Sequence, residues 1–176
     1  MSPASSQAVS QDVRPENTPA PLPVIRPAAR RMAYAAAWLM LLGLLTGGYV
    51  SAAMTGKVPA DPQMALAAHL NALMGTFLLL GVAWTLPMLG YGPVGQQRLA
   101  WAVIVANYAN WSITCVKAWL RVSGVDLIGQ AANDAVFVAL TLSVVIPSLV
   151  ATGAWIHGFR RSAAAHAASP EATTPG

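Results

Sequence analysis

Charge is what this sequence has least of. Only 9% of its 176 residues are Asp, Glu, Lys or Arg, against the ~25% usual in soluble domains. No acidic residue stands inside any long apolar stretch, so a buried pair of catalytic carboxylates is excluded. Cysteine is nearly absent: Cys115 alone rules out an intramolecular disulfide, a CxxC redox motif and a thiolate zinc cluster. It reads as a small packing residue. Neither GxSxG nor a Walker pattern occurs, and Gly90, Gly92 and Gly95, although spaced as GxGxxG, form a turn cluster with Pro93 after a long apolar block and not the strand-to-helix junction of a Rossmann site. The net charge of +4 comes from Lys and Arg standing singly or in pairs, never in a cluster interleaved with aromatics. Nucleic-acid binding is excluded on that ground.

What is present is apolar. Hydrophobic residues make up 56% of the chain and the mean hydropathy is +0.53. They fall into four blocks at about 32–54, 64–89, 99–120 and 135–156, each long enough for the ~20 residues that cross a bilayer as helix. None alternates with period two, and lipid admits only helices or closed barrels. The expected fold is therefore all-α, an integral membrane four-helix bundle over residues 30–158. Residues 1–29 hold six of the 13 prolines and read as a disordered leader. Residues 159–176 read as a disordered cytoplasmic tail. Asn133 and Asp134 resemble a capping pair at the head of the fourth block, and Pro147 interrupts it.

With four crossings both termini share a side. That side carries Arg14, Arg26, Arg30, Arg31, Arg98, Arg160 and Arg161, while Lys57, Lys117 and Arg121 lie opposite. Seven against three predicts both ends cytoplasmic. In the first span Gly43, Gly47 and Ser51 form a small-residue stripe suited to close backbone approach.

Polar groups inside a span are costly and are functional candidates for that reason. His69 lies about 10 Å inside the second span. It is either a neutral histidine bonded to a neighbour or an axial ligand to a metal cofactor. The third span carries Asn107, Asn110, Thr114, Lys117 and Arg121 at offsets 0, 3, 7, 10 and 14, a helical period that gathers them on one stripe. Depth matching puts Thr114 and Lys117 level with His69, so the three are expected to share a cavity. The plain alternative makes Asn110 and Thr114 interhelical glue, with Lys117 and Arg121 snorkelling to the surface. Asn71, about 200° around the helix from His69, is expected to face another helix or subunit. The hydroxyls of Thr141, Ser143, Ser148 and Thr152 are expected to bond back to their own helix. A protein-only zinc site and a bis-His haem both fail, because His157 and His166 lie near the opposite membrane face from His69.

Two stretches, DPQMALAAHLNALMGTFLLLGVAW at 61–84 and NYANW at 107–111, resemble the hydroxylaminobenzene mutase family, small four-span bacterial membrane enzymes. The resemblance covers about 32–158. It implies a multi-pass protein of the bacterial inner membrane, acting in nitroaromatic degradation, that converts an arylhydroxylamine into an aminophenol. That family is distantly similar to styrene oxide isomerase, a membrane trimer whose ferric haem b is held between subunits by a second-span histidine. The resemblance therefore implies a haem b cofactor with His69 on its iron, a small aromatic substrate and a homo-oligomer, a trimer by analogy. Asn110 matches the third-span asparagine of both groups, and Tyr108, Thr114 and Lys117 join it as catalytic candidates. The sequence departs from the relatives at Gly75, where they carry an asparagine, and at Ala106 and Thr114, where the epoxide isomerases carry an acid and a tyrosine. Epoxide isomerisation is thus the second expectation. A haem-carrying or structural membrane subunit without activity is the third.

Overall fold

The computed structural model describes residues 26–167, His166 by its backbone alone. The expected leader, up to residue 25, and the expected tail from residue 168 lie outside the described residues. Three long helices, α1 (Pro27–Met54), α2 (Pro62–Thr85) and α3 (Pro93–Leu120), are followed by α4 (Ala131–Leu140) and α5 (Ile146–Ala167). A single 3₁₀ turn at Leu86–Met88 prolongs α2, and a π turn at Thr141–Val145 joins α4 to α5 into one rod. There is no strand among the described residues. Four helices are long and apolar enough to cross a membrane: Pro27–Met54, Pro62–Met88, Pro93–Leu120 and Ala131–Ala165.

Each helix begins before its apolar block, because polar residues at a membrane interface extend the helix without adding hydrophobicity. The starts are set by proline. Pro27, Pro62 and Pro93 open α1, α2 and α3, where the missing N–H is no loss and φ is already helical. Asp61 adds a side-chain cap, accepting from the Met64 amide at 2.9 Å. The end of α3 turns on Arg121, whose left-handed φ of 54° is uncommon for a residue with a Cβ.

Asn133 and Asp134 do not cap the last rod. Gln130 holds the cap position without a side-chain bond, and the pair instead staples the preceding loop. Asn133 Oδ1 accepts from the Gly124 amide at 2.7 Å and from Ser123 Oγ, while its Nδ2 donates to the Asp126 main-chain carbonyl. The Asp134 carboxylate accepts the Ile128 and Gly129 amides. Pro147 does not break the helix either. One π turn precedes it, which relieves the clash between a proline ring and the carbonyl four residues back. Thr141 and Ser143 bond back to the carbonyls of Phe137 and Ala139, as expected. 

The core lies where α1, α2 and α3 meet, around Met32, Leu39, Leu79, Val82 and Leu86. The α4–α5 rod packs along α3. Its far end is tied to the α2–α3 turn by three bonds: Gly90 N–H to Gly158 O at 3.0 Å, Tyr91 OH to Ala154 O at 2.6 Å, and Trp155 Nε1 to Thr85 Oγ1 at 3.0 Å. Large apolar side chains cover the outside, Tyr34, Leu45, Met74, Phe77, Trp84 and Leu149 among them. That is what a lipid solvent permits and water does not. Arg26, Arg30, Arg31, Arg98, Arg160 and Arg161 fall at one end of the bundle. Lys57, Arg121 and the three acids Asp61, Asp126 and Asp134 fall at the other.

Candidate functional site

Two groups of polar side chains sit on α2, on opposite flanks. His69 turns toward α1, where Gly43 and Gly47 leave the backbone bare. Its Nδ1 lies 2.7 Å from the Gly43 carbonyl oxygen. A carbonyl only accepts, so the proton is on Nδ1 and the lone pair is on Nε2. Histidines bound to metals are commonly oriented in this way, one nitrogen tied to a backbone carbonyl and the other free. Nε2 has no hydrogen bond among the described residues, and the ring is half-buried. Gly47 lies against the ring, its Cβ position 3.5 Å from the imidazole, and the residues one turn along α2 on the same face, Leu66 and Leu73, are apolar. A group that brings its own equatorial ligands and a flat apolar body fits this donor set of one imidazole. A bare metal ion does not, since no cluster of three His, Cys, Asp or Glu exists among the described residues.

The second group joins α2 to α3. Asn71 Nδ2 donates to Asn110 Oδ1 at 3.3 Å and to Thr114 Oγ1 at 3.1 Å, while Thr114 donates to the Asn110 carbonyl at 2.6 Å. This leaves Asn71 Oδ1 and Asn110 Nδ2 unbonded among the described residues, an acceptor and a donor on two amides that are themselves joined. Such a pair can grip a ligand group that is itself both donor and acceptor. One turn away, Asn107 bonds to the Val103 carbonyl and presses its Oδ1 against Gly75. A Cβ on residue 75 would stand only 2.7 Å from that oxygen. Glycine there makes room for the asparagine that α3 supplies.

Lys117 continues the stripe. It is 8% exposed, so it is covered rather than snorkelling. Its Cε lies 3.6 Å from where a Cβ on Gly124 would stand, beneath the loop that Asn133 and Asp134 hold down.

The motif NYANW thus divides between two neighbours. Asn107 and Asn110 serve α2, whereas Tyr108 and Trp111 serve α1. The Tyr108 hydroxyl donates to the Ala35 carbonyl at 2.8 Å, and Trp111 Nε1 donates to Thr46 Oγ1 at 3.0 Å. Tyr108 is therefore not brought together with Asn110 and Thr114. Nor do His69, Thr114 and Lys117 share one cavity: depth was matched, but rotation about α2 separates them. The residue that meets Thr114 is Asn71. Sequence reasoning left it out of the site, although its 200° offset from His69, set against the inward stripe on α3, was the signal that paired them.

Comparison with known proteins adds the family. The pattern that defines styrene oxide isomerases matches residues 28–160. Hydroxylaminobenzene mutase HabB of Ectopseudomonas oleovorans is 29% identical over 159 residues, covering 82% of this chain and 92% of that protein. The match begins and ends with the four-helix unit and contains His69, Asn71, Asn110 and Thr114. On that extent this four-helix membrane protein belongs to the styrene oxide isomerase family.

Proposed function

We propose that this protein is a membrane-embedded isomerase that moves a hydroxyl group within an arylhydroxylamine, giving an aminophenol. The observation that carries the reading is the His69 imidazole, its Nδ1 proton held by Gly43 and its Nε2 open, in a chain that aligns with a hydroxylaminobenzene mutase over nearly all of that protein's length. His69 would hold haem b through Nε2, and when bound the ferric group supplies a Lewis acid for the hydroxylamine oxygen.

The rest follows from the chain's own residues. Gly43 keeps the imidazole in the tautomer that can ligate and makes it more electron-rich. Asn71 Oδ1 accepts a substrate N–H or O–H, and Asn110 Nδ2 donates to the migrating oxygen. Thr114 fixes the Asn71 amide by accepting from its Nδ2, and the same Nδ2 holds Asn110 Oδ1. Lys117 adds positive potential one turn away, in surroundings where water does not screen it. Tyr108 steadies α3 against α1. The reaction balances without a cosubstrate: an N–O bond is lost, a C–O bond forms on the ring, and the ring proton passes to nitrogen.

His69 and the amide pair open on opposite flanks of α2, so one substrate meets both only between two copies. In this reading the homo-oligomer, a trimer by the family resemblance, is what completes the site. Both termini are cytoplasmic in the bacterial inner membrane, following the arginines gathered at one end. The aromatic substrate arrives through the lipid, in nitroaromatic degradation.

The test is an absorption spectrum of the detergent-purified protein with a phenylhydroxylamine assay, each repeated for His69→Ala. The expected result is a Soret band and aminophenol formation, both lost in the variant. Retention of both would overturn the ligand assignment. Mixing His69→Ala with Asn110→Ala copies should restore part of the activity if the site spans two chains. A second reading is favoured by the family match over residues 28–160: isomerisation of an aryl epoxide to a carbonyl compound. Turnover of styrene oxide in preference to phenylhydroxylamine would select it.

A further inference from the structure

The hydroxyls of the last span are of two kinds. Thr141 and Ser143 bond back to carbonyls four residues before them, whereas Ser148 and Thr152, expected to do the same, make no hydrogen bond among the described residues. Thr46, Thr55, Thr76, Thr85 and Thr114 also donate to a carbonyl four residues back. Thr152 is thus the exception among the threonines of the described residues. An unbonded hydroxyl in apolar surroundings is costly, so a threonine that forgoes the nearest carbonyl points to another partner.

Ser148 and Thr152 line one cavity between α2, α3 and α5. Asn107 lines it from α3. Its Nδ2 donates to the Val103 carbonyl, which leaves its Oδ1 without a donor among the described residues. None of the three side chains is sealed off: Asn107 and Ser148 are half-buried and Thr152 is exposed. Leu78, Val82 and Trp155 supply apolar wall, and the Trp155 indole N–H is already taken by Thr85. The cavity offers about 30 Å³, where one water needs roughly 10–15 Å³ and two to four polar partners. Asn107 stands at the middle of Pro93–Leu120 and Ser148 at the middle of Ala131–Ala165, so the cavity lies at half the depth of the bundle.

We infer that this cavity binds water, one or two molecules held by Asn107 Oδ1, Ser148 Oγ and Thr152 Oγ1. Its size excludes an acyl chain or an aromatic molecule. Its neutrality excludes a cation, since no acid stands inside any apolar block and three uncharged oxygens do not offset the desolvation of an ion. A small apolar gas leaves every polar group unpaired. Water fits because a hydroxyl both donates and accepts while Asn107 Oδ1 only accepts: water donates to the amide oxygen and accepts from a hydroxyl. The bridge ties α5 to α3 midway along the rod, between the loop staple at Asn133 and Asp134 and the anchors at Ala154 and Gly158. The inference concerns hydration alone and holds whatever reaction is catalysed.

The test uses full-length protein labelled with ¹⁵N-asparagine and reconstituted in liposomes. Solid-state NMR follows magnetisation transfer from water to each side-chain amide, with the Asn107 signal identified by its loss in Asn107→Asp. The expected result is rapid transfer to Asn107 Nδ2 that is lost in the double variant Ser148→Ala/Thr152→Val. An unmoved Asn133 amide signal shows that this variant is folded. Thr152→Ser keeps the hydroxyl and should keep the transfer. Loss there would mean that packing and not the hydroxyl matters, and would overturn the assignment. Absence of transfer in the native protein, or its survival in the double variant, overturns the proposal. So does an Asn107 signal that shifts when sodium replaces choline in the buffer, which would make the occupant a cation.

Discussion

The two flanks of α2 are built on opposite rules. Toward α1 the contact is dry and close: Gly43 faces Ala72 so tightly that a Cβ on residue 43 would stand 2.9 Å from the alanine methyl. Toward α3 the contact is polar, with Asn71, Asn110 and Thr114 joined by hydrogen bonds. In water both would be secondary to hydrophobic burial. In lipid the solvent is as apolar as the side chains, so helices are held by close packing or by hydrogen bonds. This protein uses one on each side of a single helix. The packed side leaves a histidine nitrogen open, and the bonded side leaves an amide pair open.

That contrast can be broken from either side. Gly43→Val should do most damage, because the rigid backbones of α1 and α2 cannot part without emptying the interface. A loss of about 3 kcal/mol is expected in detergent-denaturation midpoints. Gly75→Ala meets side chains and no backbone, the movable Asn107 Oδ1 at 2.7 Å and a methyl of buried Leu39 at 3.1 Å, and should cost about 1 kcal/mol. A double-mutant cycle of Asn71→Ala and Thr114→Ala should give a coupling of about 0.6 kcal/mol, the usual size for hydrogen bonds between membrane helices. The same variants should lower phenylhydroxylamine turnover much more than that stability loss accounts for, which separates a site from glue. Tyr108→Phe should have the smallest effect, about 0.5 kcal/mol with turnover unchanged. A large loss of turnover there would return Tyr108 to the catalytic group.

Much of this architecture was legible in the chain. Four helices of membrane-crossing length follow from four apolar blocks, and the α3 stripe follows from spacing alone, because a helix fixes which residues share a face. The helix starts were read about five residues late, since a count of apolar residues sees the hydrocarbon layer while Pro27 and Pro93 begin in the interface. The partner of each polar group was harder. Depth along the membrane can be counted from the sequence, but the rotation of α2 about its own axis is set by Ala72 lodging against Gly43, a contact that spacing does not reveal. Asn133 and Asp134 were misread for a related reason. A side chain in a first helical turn can cap its own helix or bond the loop before it, and here Gly124 and Gly129 bring their amides within reach.

The π turn before Pro147 carries a consequence for descent. A π turn holds one residue more than the α-helical turn it replaces, and one residue is about 100° of rotation. The last helix is therefore two separately indexed rods on one axis, both lying along α3: α4 is tied to its own loop by Asn133 and Asp134, α5 to Thr85 and Tyr91. Lineages that lose the proline should also lose one residue between positions 141 and 147. An alignment gap of length one at that place, in a helix that otherwise tolerates no gap, would be the trace of the inserted residue.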